Sequence, residues 1–182
     1  VFLAPKINYS NNRDILSIDY HEVNQKARDF CIENSIQVFN INHNDEQSIS
    51  SIVDDNNITL GLIGGAKIIP EKVINLFKKG IINYHPGKIP ETSGLDSLYR
   101  TIERNIPIYI TAHLIDSRID AGLFILESKV KVLIDDTPDI IRKRIIAKQI
   151  ELNHQVLNGI KENLFNLKSI IRSKKNEKLS FQ

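Results

Sequence analysis

Ile81-Ile82-Asn83-Tyr84-His85-Pro86-Gly87 decides how the rest of the chain is read. Two β-branched residues open a strand at Ile81-Ile82-Asn83, and Pro86-Gly87 ends it, because proline cannot donate to a sheet ladder and glycine favours turns. Side chains alternate along a strand, so Asn83 and His85 project to one side while Tyr84 faces the other. Upstream lies a second apolar run, Ile58 to Ile63, near-continuous as in a central strand covered on both faces. It ends in Gly64-Gly65, where backbone can approach a ligand closely. Between the two runs, Glu71 to Lys79 is patterned as a helix, with Pro70 before or at its first turn.

Working outward, Val1 to Pro5 reads as a buried strand and Ile15 to Ile18 as a short strand or an inward-packing loop. His21 to Ser35 carries Val23, Ala27, Phe30, Cys31 and Ile32 at helical spacing. Gln37 to Ile41 follows as a strand, and Asp45 to Asp54 as a helix opened by an acidic turn. Downstream, a helix is expected over Leu95 to Arg104. Two longer strands, Ile108 to Ile115 and Leu123 to Val132, are joined through residues 116–122 and suggest an antiparallel extension. Thr137 then serves as an N-cap, with Pro138 at the first position of a long helix to about Asn158. This alternation predicts an α/β fold, doubly wound, with a mostly parallel sheet, a C-terminal antiparallel hairpin and a long final helix. One domain is expected over residues 1–160, with a Lys-rich peripheral segment or tail over 161–182. Because Val1 opens inside an apolar run, further residues are expected upstream of it.

The 182 residues are 41% hydrophobic, enough for one domain with a real core. A net charge of +2, from 24 basic and 22 acidic residues, carries no global nucleic-acid signature. The single cysteine, Cys31, excludes an internal disulfide framework and fits a reducing cytoplasm. No stretch approaches the roughly 18 consecutive apolar residues of a membrane span, and no secretory segment opens the chain. The expectation is a cytoplasmic protein with no nucleic-acid partner and no membrane contact. The hairpin over Ile108 to Val132 leaves an edge that could pair with a second copy, so a homodimer is open.

Asn83 and His85 sit at the carboxyl end of a strand, where open α/β sheets place ligands. An Asn amide can donate to an oxygen gaining negative charge, and an imidazole can donate as well or move a proton. A His beside Pro in a loop is also a common structural residue. Asp120 fits either turn chemistry or proton transfer, and Asp116 competes for the second role. His113 reads as a core histidine. No His/Cys cluster has the spacing of a metal site, so no metal is expected.

Asn83-x-His85-Pro86, followed by Thr111-Ala112-His113-Leu114-Ile115-Asp116-x-x-Ile119-Asp120-x-Gly122, resembles the folate-dependent formyltransferases, whose fold is Rossmann-like. The likeness spans about Gln37 to Val132 and implies an enzyme that takes a formyl group from N10-formyltetrahydrofolate. It implies catalytic roles for Asn83, His85 and Asp120, and a supporting role for His113. It places folate contacts on Gly64, Gly65, Ala66, Lys67, Ile68 and Ile69, and on Asp116 in the loop leading to Asp120.

The chain departs from that pattern in places. The family's first strand, with its phosphate loop, precedes what Val1 to Pro5 resembles. Gly87 to Gly94 lacks the usual Leu-Leu-Pro, and Ala121-Gly122 stands where Gly-Gly is common. The expected partner is a small-molecule amine. Gly94 to Leu98 and Thr111 to His113 look closer to the enzymes that formylate a nucleotide-linked amino sugar for surface polysaccharide, with glycinamide ribonucleotide of purine synthesis as the alternative. The tRNA-acting members carry a further β-rich domain, which residues 161–182 are too few to supply. A non-catalytic folate- or nucleotide-binding module of the same fold is the contrary reading.

Overall fold

The computed structural model of the protein describes residues 1–2, 20–65, 68–94, 96–118, 120, 122–165 and 167. Four strands form one sheet in chain order: β1 (Gly61–Leu62), β2 (Ile81–His85), β3 (Tyr109–Leu114) and β4 (Leu123–Lys129). β1 runs parallel to β2, while β2–β3 and β3–β4 are antiparallel. The α/β class holds, but among the described residues the sheet is mixed rather than mostly parallel. Its parallel side is short. β1 supplies two residues, and among the described residues of the strands expected over 1–5 and 37–41, Phe2 and Phe39 form a parallel bridge. Residues 3–5 and 15–18 lie outside the described residues.

Helices cover both faces, as expected of a doubly wound sheet. On one face α5 (Pro138–Lys161) packs Ile145, Leu152 and Val156 against Ile82, Tyr84, Ile110 and Ala112. On the other, α2 (Glu46–Asp55) and α3 (Glu71–Ile74) bring Ile49, Val53, Val73 and Ile74 onto Ile81. The alternation along β2 is therefore real: Ile82 and Tyr84 serve one core and Ile81 the other. Tyr84 is buried deeply enough that its phenol is pushed up to about 12, and Gln149 of α5 donates to its carbonyl at 2.7 Å. The end of β2 is held from behind while its front carries Asn83 and His85. The chain past α5 still feeds this core, since Leu167 is buried and Phe165 packs beside it.

Local signals set several boundaries. Asp45 caps α2 by accepting from Ser48 N at 3.1 Å, and Thr137 caps α5 by accepting from Ile140 N at 3.4 Å. α1 (Tyr20–Glu33) and α4 (Ser97–Glu103) fall where helices were expected, though Leu95 lies outside the described residues. The helix expected over residues 71–79 stops after one turn. Lys79 N donates to Thr59 O at 2.7 Å, which draws the chain back to the sheet, and Gly80 turns it at φ 81°.

Gly122 leads into β4 under the tightest backbone constraint here. A Cβ on it would lie 1.6 Å from the carbonyl oxygen of Leu114, so backbone rather than a side chain has to move. Gly122→Ala is expected to destabilise the fold by about 3 kcal/mol. The check is urea unfolding, with a lowered midpoint at unchanged slope; an unaltered midpoint would contradict this packing.

Candidate active site

The register of β2 on β3 sets His113 opposite Asn83, and Thr111 opposite His85. The loop between β3 and β4 then returns Asp120 across the same strand ends, in the left-handed region at φ 43°. Its carboxylate gathers the other groups. Oδ2 lies 3.2 Å from His85 Nδ1, and Oδ1 lies 3.7 Å from His113 Nε2. Asn83 Nδ2 donates to Asp120 Oδ1 at 3.4 Å and sits 3.3 Å from His113 Nε2. Asn83, His85, His113 and Asp120 thus form one connected cluster. Side-chain exposure is 5% for His85, 1% for His113 and 15% for Asp120, so solvent screens their interactions weakly.

His85 is held at both ring nitrogens, since Nε2 also bonds the carbonyl of Thr92 at 2.9 Å. That carbonyl only accepts, so Nε2 carries a hydrogen in this arrangement. When Nδ1 is protonated as well, the contact with Asp120 is an ion pair. Gly87 leaves room for the ring: a Cβ there would lie 2.8 Å from His85 Nε2 and 2.4 Å from Thr92 Oγ1.

Three groups that support the cluster carry no signature that the sequence reading recognised. Thr92 supplies a main-chain carbonyl. Gly94 N donates to Asp120 Oδ2 at 2.8 Å, and Ser93 Oγ donates to Asp120 O at 3.0 Å. Two of these contacts use main-chain atoms of the loop, a carbonyl that every residue type offers and an N–H that every type but proline offers. Only the glycine hints at its part, because Gly94 sits at φ 90°.

Asp116 lies upstream of Asp120 between β3 and β4. Its carboxylate accepts from Arg118 at both N (2.9 Å) and Nη2 (2.8 Å), within its own loop. Gly64 and Gly65 leave the sheet beside β2, because Ile63 N donates to Ile82 O at 2.9 Å. Gly65 takes φ 91°, and among the described residues nothing lies within 4 Å of a Cβ built on either glycine. Ile68 is exposed and Ile69 half-buried, while Ala66 and Lys67 lie outside the described residues. The structure therefore joins Asn83, His85, His113 and Asp120 directly, and leaves the glycine loop as an open flank beside them.

Burial holds the His113 imidazolium below its ordinary value of 6.5, against the opposing pull of the Asp120 carboxylate. The native chain resists a proton that the unfolded chain accepts, so this contribution to stability is full above 6.5 and is lost as pH falls through the lowered native value. His113→Asn removes the titration. The expected result is that unfolding free energy drops more for wild type than for His113→Asn between about pH 7.5 and 5.5. Parallel profiles in chemical denaturation would contradict it.

A family model described as formyl transferase matches residues 8–157. A phosphoribosylglycinamide formyltransferase of Haemophilus influenzae is 27% identical over 108 residues, covering 59% of this chain and 51% of that protein. A methionyl-tRNA formyltransferase of Buchnera aphidicola is 28% identical over 153 residues, covering 81% and 46%. The chain spans about half the length of these two curated relatives. Among solved structures, a phosphoribosylglycinamide formyltransferase from Streptococcus pneumoniae superposes with a TM-score of 0.67 at 21% identity, covering 74% of this chain and 79% of that one. A sugar N-formyltransferase from Shewanella gives 0.56 at 20%, covering 78% and 66%. At those identities the likeness is one of fold.

Proposed function

The chain belongs to the formyl transferase family, and from that premise we propose that it moves a formyl group from N10-formyltetrahydrofolate to a primary amine, with Asn83, His85 and Asp120 at the reacting centre. The observation that carries this reading is the convergence of those three side chains at the carboxyl end of β2, with Asp120 within 3.2 Å of His85.

The chemistry needs little beyond these groups. The amine attacks the formyl carbon and produces a tetrahedral intermediate whose former carbonyl oxygen is negative. Asn83 Nδ2 is the donor best placed to meet that oxygen. Its present bonds, at 3.3 and 3.4 Å, are long, so they yield readily to a shorter charge-assisted one. His85 can donate directly only by exchanging the Thr92 carbonyl for the new oxyanion. Otherwise its ring acts through Asp120, which takes the proton released by the attacking nitrogen. Collapse of the intermediate leaves tetrahydrofolate and a formamide. Holding amine and formyl carbon in contact lowers the barrier further by proximity. The flank at Gly64 and Gly65, with Ile68 and Ile69 after it, is where we place the folate.

For the acceptor we propose a primary amine on a phosphorylated sugar. Glycinamide ribonucleotide gains support from the Haemophilus relative's name. A nucleotide-linked amino sugar rests on the likeness over residues 94–98 and 111–113 and on the Shewanella neighbour. The test is a panel assay of the full-length protein with the folate donor, glycinamide ribonucleotide and several nucleotide-linked amino sugars. Formylation of one acceptor in preference to the rest names the substrate. Donor binding with no product from any acceptor would instead favour a binding module.

A further inference from the structure

Two side chains of α4 and one from its C-cap, Arg104, hold the loop that reaches the site. Ser97 Oγ donates to Pro86 O at 2.9 Å, the Arg100 guanidinium donates to Ser93 O, and Arg104 Nη1 donates to Glu91 O at 2.5 Å. Spacings of three and four residues bring them to a common side. The middle contact differs from its neighbours in what lies beyond it. Ser93 C=O and Gly94 N–H belong to a single peptide unit, which is planar and turns as a rigid body. Arg100 binds one end of that plane, and Asp120 Oδ2 accepts from the other at 2.8 Å. The Ser93 hydroxyl adds a bond to the Asp120 carbonyl at 3.0 Å. Gly94, at φ 90°, has little steric resistance to rotation of this plane, so something else has to fix it. A Cβ on Gly94 would lie 3.4 Å from Arg100 Nη2, so the guanidinium packs closely under the turn.

We propose that Arg100 is a positioning residue for Asp120, acting through the Ser93–Gly94 peptide. The guanidinium draws on the carbonyl oxygen, which aims the N–H at the carboxylate and polarises it, as in any chain of hydrogen bonds. The N–H in turn keeps Asp120 Oδ2 facing His85. Without Arg100 the peptide plane rotates, the carboxylate loses a donor, and the alignment of Asp120 with His85 loosens. The role rests on the reading that Asp120 acts in formyl transfer.

The experiment compares Arg100→Ala, Arg100→Lys and Arg104→Ala in the full-length protein. Arg104 binds the same loop but not the Ser93–Gly94 peptide, so it controls for loop anchoring alone. Arg100→Ala is expected to lower kcat about tenfold to a hundredfold, the scale of a displacement near 1 Å, with the donor's KM nearly unchanged. Arg100→Lys and added guanidinium ion each restore part of the loss, while Arg104→Ala stays near wild type. Wild-type kcat in a folded Arg100→Ala protein, or equal losses in Arg100→Ala and Arg104→Ala, would overturn the proposal. A second readout needs no turnover: the carboxyl carbon resonance of Asp120 in the substrate-free protein moves in Arg100→Ala but not in Arg104→Ala. A wild-type chain that transfers no formyl group defeats the functional reading alone. The resonance then decides the relay, and an unmoved signal rejects it.

Discussion

Asp120→Asn is expected to lower kcat for formyl transfer by about 10²- to 10⁴-fold, with the affinity for the folate donor nearly unaltered. The substitution preserves volume, so any loss comes from charge and hydrogen-bond direction. Asp120 Oδ2 accepts from Gly94 N at 2.8 Å and faces His85 Nδ1 at 3.2 Å. Oδ1 faces Asn83 Nδ2 at 3.4 Å and His113 Nε2 at 3.7 Å. An amide has one oxygen for these two donor-facing positions. Whichever way it turns, an NH2 group points at a donor, and no anion is left to take the proton from the attacking amine. Rapid-quench measurement of a single turnover, alongside calorimetric donor binding, separates the two parameters. A parallel loss of donor affinity would make Asp120 a binding group and remove the proposed proton transfer.

The second large effect is expected at Asn83. Asn83→Ala deletes the donor we propose for the developing oxyanion, a loss on the order of 10²- to 10³-fold in kcat. The fold should tolerate the change, because Asn83 is only half-buried at a strand end and its two hydrogen bonds are long. The same two assays decide. If Asn83→Ala keeps kcat and raises KM, the amide serves ground-state binding, and His85 would have to release Thr92 to meet the oxyanion alone.

Much of this site is legible in the chain because its signals are local. Two β-branched residues, alternation through Asn83 and His85, and a Pro-Gly stop place two functional groups at one strand end without tertiary information. From its own residues Asp120 fits either turn chemistry or proton transfer, and only the resemblance gives it a catalytic role; the structure sets its carboxylate 3.2 Å from His85. His113 had two readings, and the structure joins them: it is buried in β3 and also touches the Asp120 cluster. The direction of β3 relative to β2 was not legible, because nothing in residues 109–114 encodes which way a strand enters a sheet. The short β1 follows from pairing as well, since residues 58–60 have the apolar pattern but only Gly61 and Leu62 pair with β2. The supports at Thr92 and Gly94 escaped for a further reason: they act through a carbonyl and an N–H that no side chain announces.

The fate of the formyl carbon tests the central claim most directly. Donor labelled with carbon-13 at the formyl group, mixed with full-length protein and the amine acceptor, can be followed by NMR. The centre formed by Asn83, His85 and Asp120 predicts loss of the donor signal and growth of a formamide signal that needs the acceptor and disappears in Asp120→Asn. Label recovered as formate, or an Asp120→Asn protein that forms the formamide at the wild-type rate, would contradict it.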